Sequence, residues 1–319
     1  MSRLSVVLPA YNEELMVGRA CREVGESLKR AGILYELVVV NDGSTDGTWE
    51  EIIKAGERDP NILGVCFSRN FGKEAAIYAG IAQASGDAVA VMDCDLQHPP
   101  ETLLEMYRLW QEGYEVVEGI KASRGKETAA HRVCAGFFYE IMSKVSGIPM
   151  ENASDFKLMD KRAARSILAM PERSLFFRAA SSWVGYRTAR VEFQVQERPA
   201  GTTKWSTKAL VRYAFTNIVA FTTLPLQMIT GAGFVCFLGS MLLLIYSLAQ
   251  FFRGKAVEGY TTTIIVLLLI GSAVMVSLGI MGYYIGKIYE EVKRRPRYLV
   301  SRIIRGRVGA DEEIRHDRP

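Results

Sequence analysis

Two long runs without a charged residue dominate the second half of the chain and limit what it can fold into. They are Phe234 to Phe252, FVCFLGSMLLLIYSLAQFF, and Thr261 to Ile285, TTTIIVLLLIGSAVMVSLGIMGYYI, separated only by RGKAVEGY. Each approaches or exceeds the roughly 20 residues a helix needs to cross a hydrocarbon core of about 30 Å. The short connection predicts a helical hairpin, because helices buried in a soluble core rarely run so far without a charge. Lys287, Lys293, Arg294, Arg295, Arg297, Arg302, Arg305 and Arg307 follow. That basic excess predicts a cytoplasmic C-terminus, and two crossings return the preceding part of the chain to the same side.

The first half reads differently. Short Val- and Ile-rich runs (LSVVLPA, YELVVVN, ILGVCFS, DAVAVMDCD, YEVVEGI) alternate with helical stretches at about Glu14 to Ala31, TWEEIIKAGERD, KEAAIYAGIAQAS and Pro100 to Gly113. This βαβα order predicts an α/β unit with a mostly parallel sheet buried on both faces. Polar residues gather where the strands end: Asn12 and Glu13, Asn41 and Asp42, Asp93 and Asp95. Open α/β sheets bind ligands outside those ends.

The net charge of +4 is too small to indicate a nucleic-acid partner. Five scattered cysteines without a Cys-x-x-Cys pair exclude a zinc ribbon and a disulfide framework. No Gly-x-Gly-x-x-Gly or Gly-Lys-Ser/Thr loop follows a strand, which disfavours nicotinamide enzymes and P-loop NTPases. The N-terminus is not a signal peptide. Ser206 to Met228 mixes Lys208 and Arg212 with apolar side chains and reads as amphipathic helices at a membrane surface, broken near Pro225. The tail from Gly309 is charged and expected to be disordered.

The most informative stretch is VMDCDLQHPP, Val91 to Pro100. If the strand continues through it, Asp93 and Asp95 share one face and Cys94 takes the other. Two converging carboxylates suit a hard divalent cation, Mg²⁺ or Mn²⁺, with a carbonyl oxygen from Gln97. His98 is a further possible ligand, though a neighbouring surface histidine is the preferred reading. In NDGSTDGT, Asp42 stands where a carboxylate can accept hydrogen bonds from a base or ribose; a simple capped turn is the alternative.

VVLPAYNEE, VVVNDGSTDGT, SRNFGKEAA, VMDCDLQHPP, NASDFKLMD and ERPAGTTKWS occur in this order. The chain thereby resembles the GT-A glycosyltransferases of family 2, and most closely their membrane-anchored polyprenyl-phosphate branch. The closing GYYIGKIYEEVKRRPRYLV resembles the end of its bacterial two-span members. The resemblance runs from about Leu4 to Val300. Cys94 departs from it by standing where a small residue is usual, and Lys121 by standing where arginine is common.

The resemblance implies a nucleotide-sugar donor and a polyprenyl phosphate acceptor. Pro9, Tyr11, Glu13 and Asp42 would hold uracil and ribose, and Asp93 the ribose or the metal shell. Asp95 and Gln97 would hold the metal on the diphosphate, with Arg198 and Lys204 closing over it. Asp155 is the family's candidate base. A lipid monophosphate is already largely dianionic near neutral pH, so Asp155 is equally suited to orienting the sugar. Lys121, Arg124 and Arg132 are candidates for the acceptor phosphate, Arg124 being equally readable as a solvated charge.

The expected organisation is a GT-A catalytic domain over residues 1–205, interface helices over 206–228, two transmembrane helices over 229–287 and a basic cytoplasmic tail over 288–319. The expected activity is inverting transfer of a sugar, first of all glucose, from a UDP-sugar to polyprenyl (undecaprenyl) phosphate at the cytoplasmic face of the inner membrane. Homo-oligomerisation is left open. The competing expectations are a processive polysaccharide synthase and a non-catalytic membrane protein with a degenerate nucleotide-binding domain. A synthase would carry Gln-x-x-Arg-Trp and more spans, and neither is present.

Overall fold

The computed structural model describes residues 2–121, 154–172, 176–194, 224–253 and 259–306. The chain divides into two units, Met1–Ser206 together with Pro296–Pro319, and Thr207–Arg295.

The first unit is built on an eight-stranded sheet. Its strands are β1 (Arg3–Ala10), β2 (Leu34–Asn41), β3 (Ile62–Phe67), β4 (Ala88–Val91), β5 (Val116–Lys121), β6 (Lys157–Asp160), β7 (Thr188–Phe193) and β8 (Val300–Arg305), in the order β7-β5-β6-β4-β1-β2-β3-β8. The pairs β1–β2, β1–β4, β2–β3 and β5–β7 are parallel; β4–β6, β5–β6 and β3–β8 are antiparallel. The α/β class and the mostly parallel sheet are therefore as expected.

Alternation along the central strands loads both faces. Leu4, Val6 and Leu8 of β1, with Leu37 and Val39 of β2, face α1 (Val17–Arg30), α2 (Thr48–Arg58) and α4 (Pro100–Gln111). Val7, Val38 and Val40 face α3 (Lys73–Gln83), α5 (Lys161–Leu168) and α6 (Phe177–Trp183). Burial on both faces is why these strands read as unbroken apolar runs. Helix α3 lies so close to β1 that a Cβ on Gly80 would come within 2.1 Å of Val7 Cγ1.

Sheet order positions the site. The chain runs outward from β1 through β2 to β3, then crosses back to β4 on the other side of β1. The loops after β1 and β4 thus flank a topological switch point, where α/β sheets form their crevice. Strand β6 lies antiparallel to β4 with Lys157 opposite Val91. The residues that enter β6 are therefore at the same end as those that leave β4.

Two differences from the sequence expectation matter. Strand β4 ends at Val91, so Asp93 and Asp95 lie in a turn, with Leu96 at φ 55°. Within the segment expected to be a tail, Val300–Arg305 forms β8, which pairs with β3 and becomes the edge of the sheet. Val300, Ile303 and Ile304 pack on the two cores.

In the second unit, α7 (Leu224–Phe252) and α8 (Tyr260–Val292) contact each other. Pro225 falls in the first turn of α7, where its missing N–H has no intrahelical partner to lose; residues 224–228 thus belong to the long helix. Residues 206–223 lie outside the described residues. Leu269–Val292, with mean hydropathy 1.6 and none of it buried, is long and apolar enough to cross a membrane, whereas Leu226–Leu242 is a shorter apolar run.

A chain stopped before Leu224 lacks β8. Its first unit is expected to melt at least about 5 °C lower than that of a chain in which a flexible linker replaces residues 224–295. Equal midpoints by calorimetry would show that β8 contributes nothing to the sheet.

Candidate active site

The loops that follow β1 and β2 are stitched together by short polar side chains. Asn12, at φ 53°, donates its N–H to Ser44 Oγ at 2.9 Å and accepts from the Thr45 N–H at 2.9 Å. Glu13 N–H donates to Thr48 Oγ1, and Glu14 accepts from the Gly47 N–H. Gly43, at φ +61°, has no room for a side chain, since a Cβ would lie 2.3 Å from the Arg69 carbonyl carbon. Tyr11 is left 42% exposed at the rim.

Asp42, expected at the nucleotide, has a structural task as well. It is 3% exposed, and its carboxylate accepts from the Phe71 N–H at 2.7 Å and the Gly72 N–H at 2.9 Å. Burial raises its pKa despite these two donors. The observed role of Asp42 is to anchor the loop that leads into α3.

That loop delivers Lys73, the first residue of α3. A cation at a helix N-terminus opposes the helix dipole and needs carboxylates to hold it. Lys73 Nζ has two, Asp93 Oδ1 at 2.6 Å and Asp155 Oδ2 at 2.8 Å. Asp155, just before β6, is 6% exposed and receives a two-pronged contact from Arg178 of α6, with Nε at 2.6 Å from Oδ1 and a terminal nitrogen at 3.0 Å from Oδ2. Burial by itself would raise the Asp155 pKa; the Lys73 ammonium and the Arg178 guanidinium override it and hold the carboxyl far below the usual carboxylate range. The same contest, won by Lys73, lowers Asp93. Glu74 accepts from the Phe177 N–H at 2.9 Å, and burial together with the Asp155 charge pushes it up to about 7.

The turn after β4 alternates in burial although it is not a strand. Cys94, Leu96 and His98 are buried, and Asp93, Asp95 and Gln97 are half-buried. Cys94 Sγ donates to the Pro9 carbonyl, and the Gln97 N–H donates to Asp95 Oδ1 at 3.1 Å. His98 corrects the expectation of a surface histidine. It is 4% exposed, stacks on Phe156 at 4.7 Å and meets Phe193 edge-on at 5.2 Å. One potential ligand atom each from Asp93, Asp95 and His98 lies within 4.8 Å of the others. Two carboxylates and an imidazole form a donor set that suits Mn²⁺ and accommodates Mg²⁺.

Of the residues expected from sequence, Asp93 and Asp155 are bridged by Lys73, and Asp95 lies with Asp93 and His98. Pro9 borders the turn by accepting from Cys94, and the Glu13 backbone joins the loop after β2 through Thr48. Lys121 ends β5 opposite Phe193. Arg124, Arg132, Arg198 and Lys204 lie outside the described residues. The sequence reasoning missed Lys73, Glu74 and Arg178, and it preferred a surface position over a ligand role for His98. A lysine opening a helix after Gly72, and an arginine inside the apolar run FFRAA, were the available signals, since each needs a carboxylate partner.

The family model described as glycosyl transferase family 2 matches residues 5–168. An uncharacterized glycosyltransferase of Synechocystis is 39% identical over 93% of this chain and 94% of its own length. A prophage bactoprenol glucosyl transferase homolog of Escherichia coli is 36% identical over 94% and 99%, and the bactoprenol glucosyl transferase of Shigella phage SfV is 36% identical over 94% and 98%. Among solved structures, glucosyl-3-phosphoglycerate synthase of Mycobacterium tuberculosis in complex with Mn²⁺ and UDP-glucose is 21% identical over 68% of this chain and 77% of that one, with a TM-score of 0.48.

The Glu74 pKa has a consequence for stability. Its folded value, about 7, lies above its ordinary 4.5. The stabilising contribution is therefore complete below 4.5 and lost as pH rises through 7. Glu74→Gln, which still accepts from Phe177, should melt increasingly above wild type as the pH is raised from about 5 to 8. A difference in melting temperature that does not change with pH would show that Glu74 is ionised throughout.

Proposed function

The chain belongs to glycosyltransferase family 2, and we propose that it transfers glucose from UDP-glucose to polyprenyl phosphate, with inversion, at the cytoplasmic face of a membrane. The observation that carries this reading is the join of two anionic centres by one cation: Lys73 bridges Asp93, in the donor set Asp93–Asp95–His98, to Asp155. The glucosyl and polyprenyl specificity is supported by the bactoprenol glucosyl transferases to which the chain is 36% identical along nearly its whole length.

Asp93, Asp95 and His98, with Gln97 beside them, would hold a divalent cation against the donor diphosphate. Such a cation supplies Lewis-acid neutralisation of the charge that grows on departing UDP. Pro9, Tyr11 and Glu13 border the crevice in which uracil and ribose would lie, with Arg198 and Lys204 proposed to close over the diphosphate. An oxygen of the lipid phosphate attacks the anomeric carbon as the bond to UDP breaks, which inverts that carbon. No proton need be removed, because the monophosphate is already ionised. Asp155, held as a carboxylate by Lys73 and Arg178, is a poor proton acceptor and acts by orienting groups around the sugar. Lys121, Arg124 and Arg132 are proposed for the acceptor phosphate.

Connectivity supports the proposed membrane arrangement. Residues 206–223 would lie at the interface, and the two uncharged runs would cross. Strand β8 pairs with β3, so the chain before α7 and the chain after α8 are on one side of any bilayer. If Leu269–Val292 crosses, a second crossing is needed before it, and α7 is the proposed one.

Full-length enzyme in detergent should move label from UDP-[¹⁴C]glucose into organic-extractable lipid when polyprenyl phosphate is added. Excess EDTA should abolish transfer, Mn²⁺ or Mg²⁺ should restore it, and Asp95→Ala should behave as the chelated enzyme. Full turnover in EDTA, or no lipid product from any UDP-sugar, would overturn the reading.

Topology has its own test. In a cysteine-free background, Gly259→Cys should react with an impermeant thiol reagent added to intact cells and Ser301→Cys should not. The reverse pattern would place the site away from cytoplasmic UDP-sugar.

A further inference from the structure

Arg297 belongs to the basic run that sequence alone assigns to membrane topology, yet its side chain is built into the first unit. Its guanidinium donates to the carbonyl oxygens of Met170 and Glu172. It also lies over the Tyr78 ring, 4.6 Å from the centroid. These contacts reach two elements that do not adjoin in sequence. Tyr78 sits one turn beyond Glu74 on α3, the helix that opens with Lys73. Met170 and Glu172 follow α5 and lead toward α6, which carries Arg178.

The neighbouring residues fix Arg297 in place. Tyr298 stacks on Phe67 at 5.0 Å with the rings 12° apart, and the Ser68 N–H donates to the Leu299 carbonyl at 3.0 Å. Phe67 and Ser68 open the loop that Asp42 anchors and that ends at Lys73. Arg297 is thus held by β3 on one side and ties α3 to the approach of α6 on the other.

We propose that Arg297 is a positioning residue for glycosyl transfer, keeping α3 and the chain entering α6 in the register that lets Lys73 and Arg178 grip the same Asp155 carboxylate. The inference rests on Asp155 belonging to the active site. Two carbonyl acceptors and an aromatic face are a fitting use of a guanidinium, which offers several coplanar donors and stacks well. A lysine reproduces the charge and some of the donors. A methionine reproduces only the stem.

The test uses the full chain in detergent with UDP-glucose and polyprenyl phosphate, comparing Arg297→Met, Arg297→Lys and, as a control on the exposed side of β8, Arg302→Ala. Arg297→Met should lower kcat about tenfold, the scale of a small misplacement of catalytic groups, and leave KM for UDP-glucose within about twofold. Arg297→Lys should fall between it and wild type, and Arg302→Ala should match wild type. Melting temperatures measured on the same preparations separate misplacement from unfolding. Wild-type kcat in Arg297→Met, or a loss in both Arg297 variants that only follows the fraction folded, would overturn the inference. Asp155→Asn is measured alongside and should lower kcat about 10²-fold. Should it turn over normally, the site reading falls and this inference with it; should it be inactive while Arg297→Met is normal, only the role of Arg297 falls.

Discussion

The Asp155 carboxylate is the charge around which the first unit is arranged. At 6% exposure it would cost several kcal/mol to bury alone. Its compensation comes from two elements far apart in sequence, Arg178 of α6 and Lys73 of α3. Those elements are fastened to each other as well, because Glu74 accepts from the backbone of Phe177, the residue before Arg178. The result is a closed ring: lysine to aspartate, aspartate to arginine, back along the helix to Phe177, across to glutamate and so to the lysine again. Loss of any member leaves a buried charge or a backbone donor without its partner, which is more costly than the loss of one surface ion pair.

Behind the ring lies a second buried pair. Lys157, fully buried, is 2.6 Å from Glu118 and 2.7 Å from Ser181 Oγ, and it also donates to the Arg178 carbonyl. Asp155, at the bend before β6, and Lys157, the first residue of that strand, both address α6. The aspartate takes the Arg178 side chain and the lysine takes its carbonyl. Arg178 is thereby held at both ends, which fixes its orientation toward Asp155.

Much of this was legible before the fold was known, and what was not has physical causes. Strand runs such as LVVVN were readable because burial on two faces removes polar alternation. The acidic pair Asp93 and Asp95 was readable because carboxylates at a strand exit are conspicuous. The backbone under them was not, since a turn that alternates in burial carries the same residue pattern as a strand. His98 was taken for a surface residue because nothing local announces the Phe156 and Phe193 rings that cover it; they come from 58 and 95 positions later. Strand β8 was hidden by its arginines. On an edge strand, one side of the ladder remains open and Arg302 and Arg305 stay exposed while Ile303 and Ile304 pack inward. Asp42, the carboxylate expected at the nucleotide, also accepts from the Phe71 and Gly72 amides, a task that nothing local in the sequence announces. Lys73 and Arg178 were missed because each makes sense only beside Asp155.

The held ionisation of Asp155 bears on the kind of chemistry the site is suited to. A hydroxyl acceptor must lose its proton as it attacks, and a general base near the operating pH is then an advantage. A carboxyl held far below the ordinary range by two cations is badly matched to that role. A phosphate acceptor presents the reverse problem. It arrives already nucleophilic but anionic, and it must approach a donor diphosphate that is anionic too. The difficulty is repulsion rather than proton removal, and fixed cations placed before the reaction begins are the effective remedy. Lys73 touches both Asp93, in the set that would hold a metal on the donor, and Asp155, which Arg178 grips from the other side. A site so constructed is better matched to joining two phosphorylated substrates than to activating an alcohol, and Asp155 serves it by keeping those cations in position.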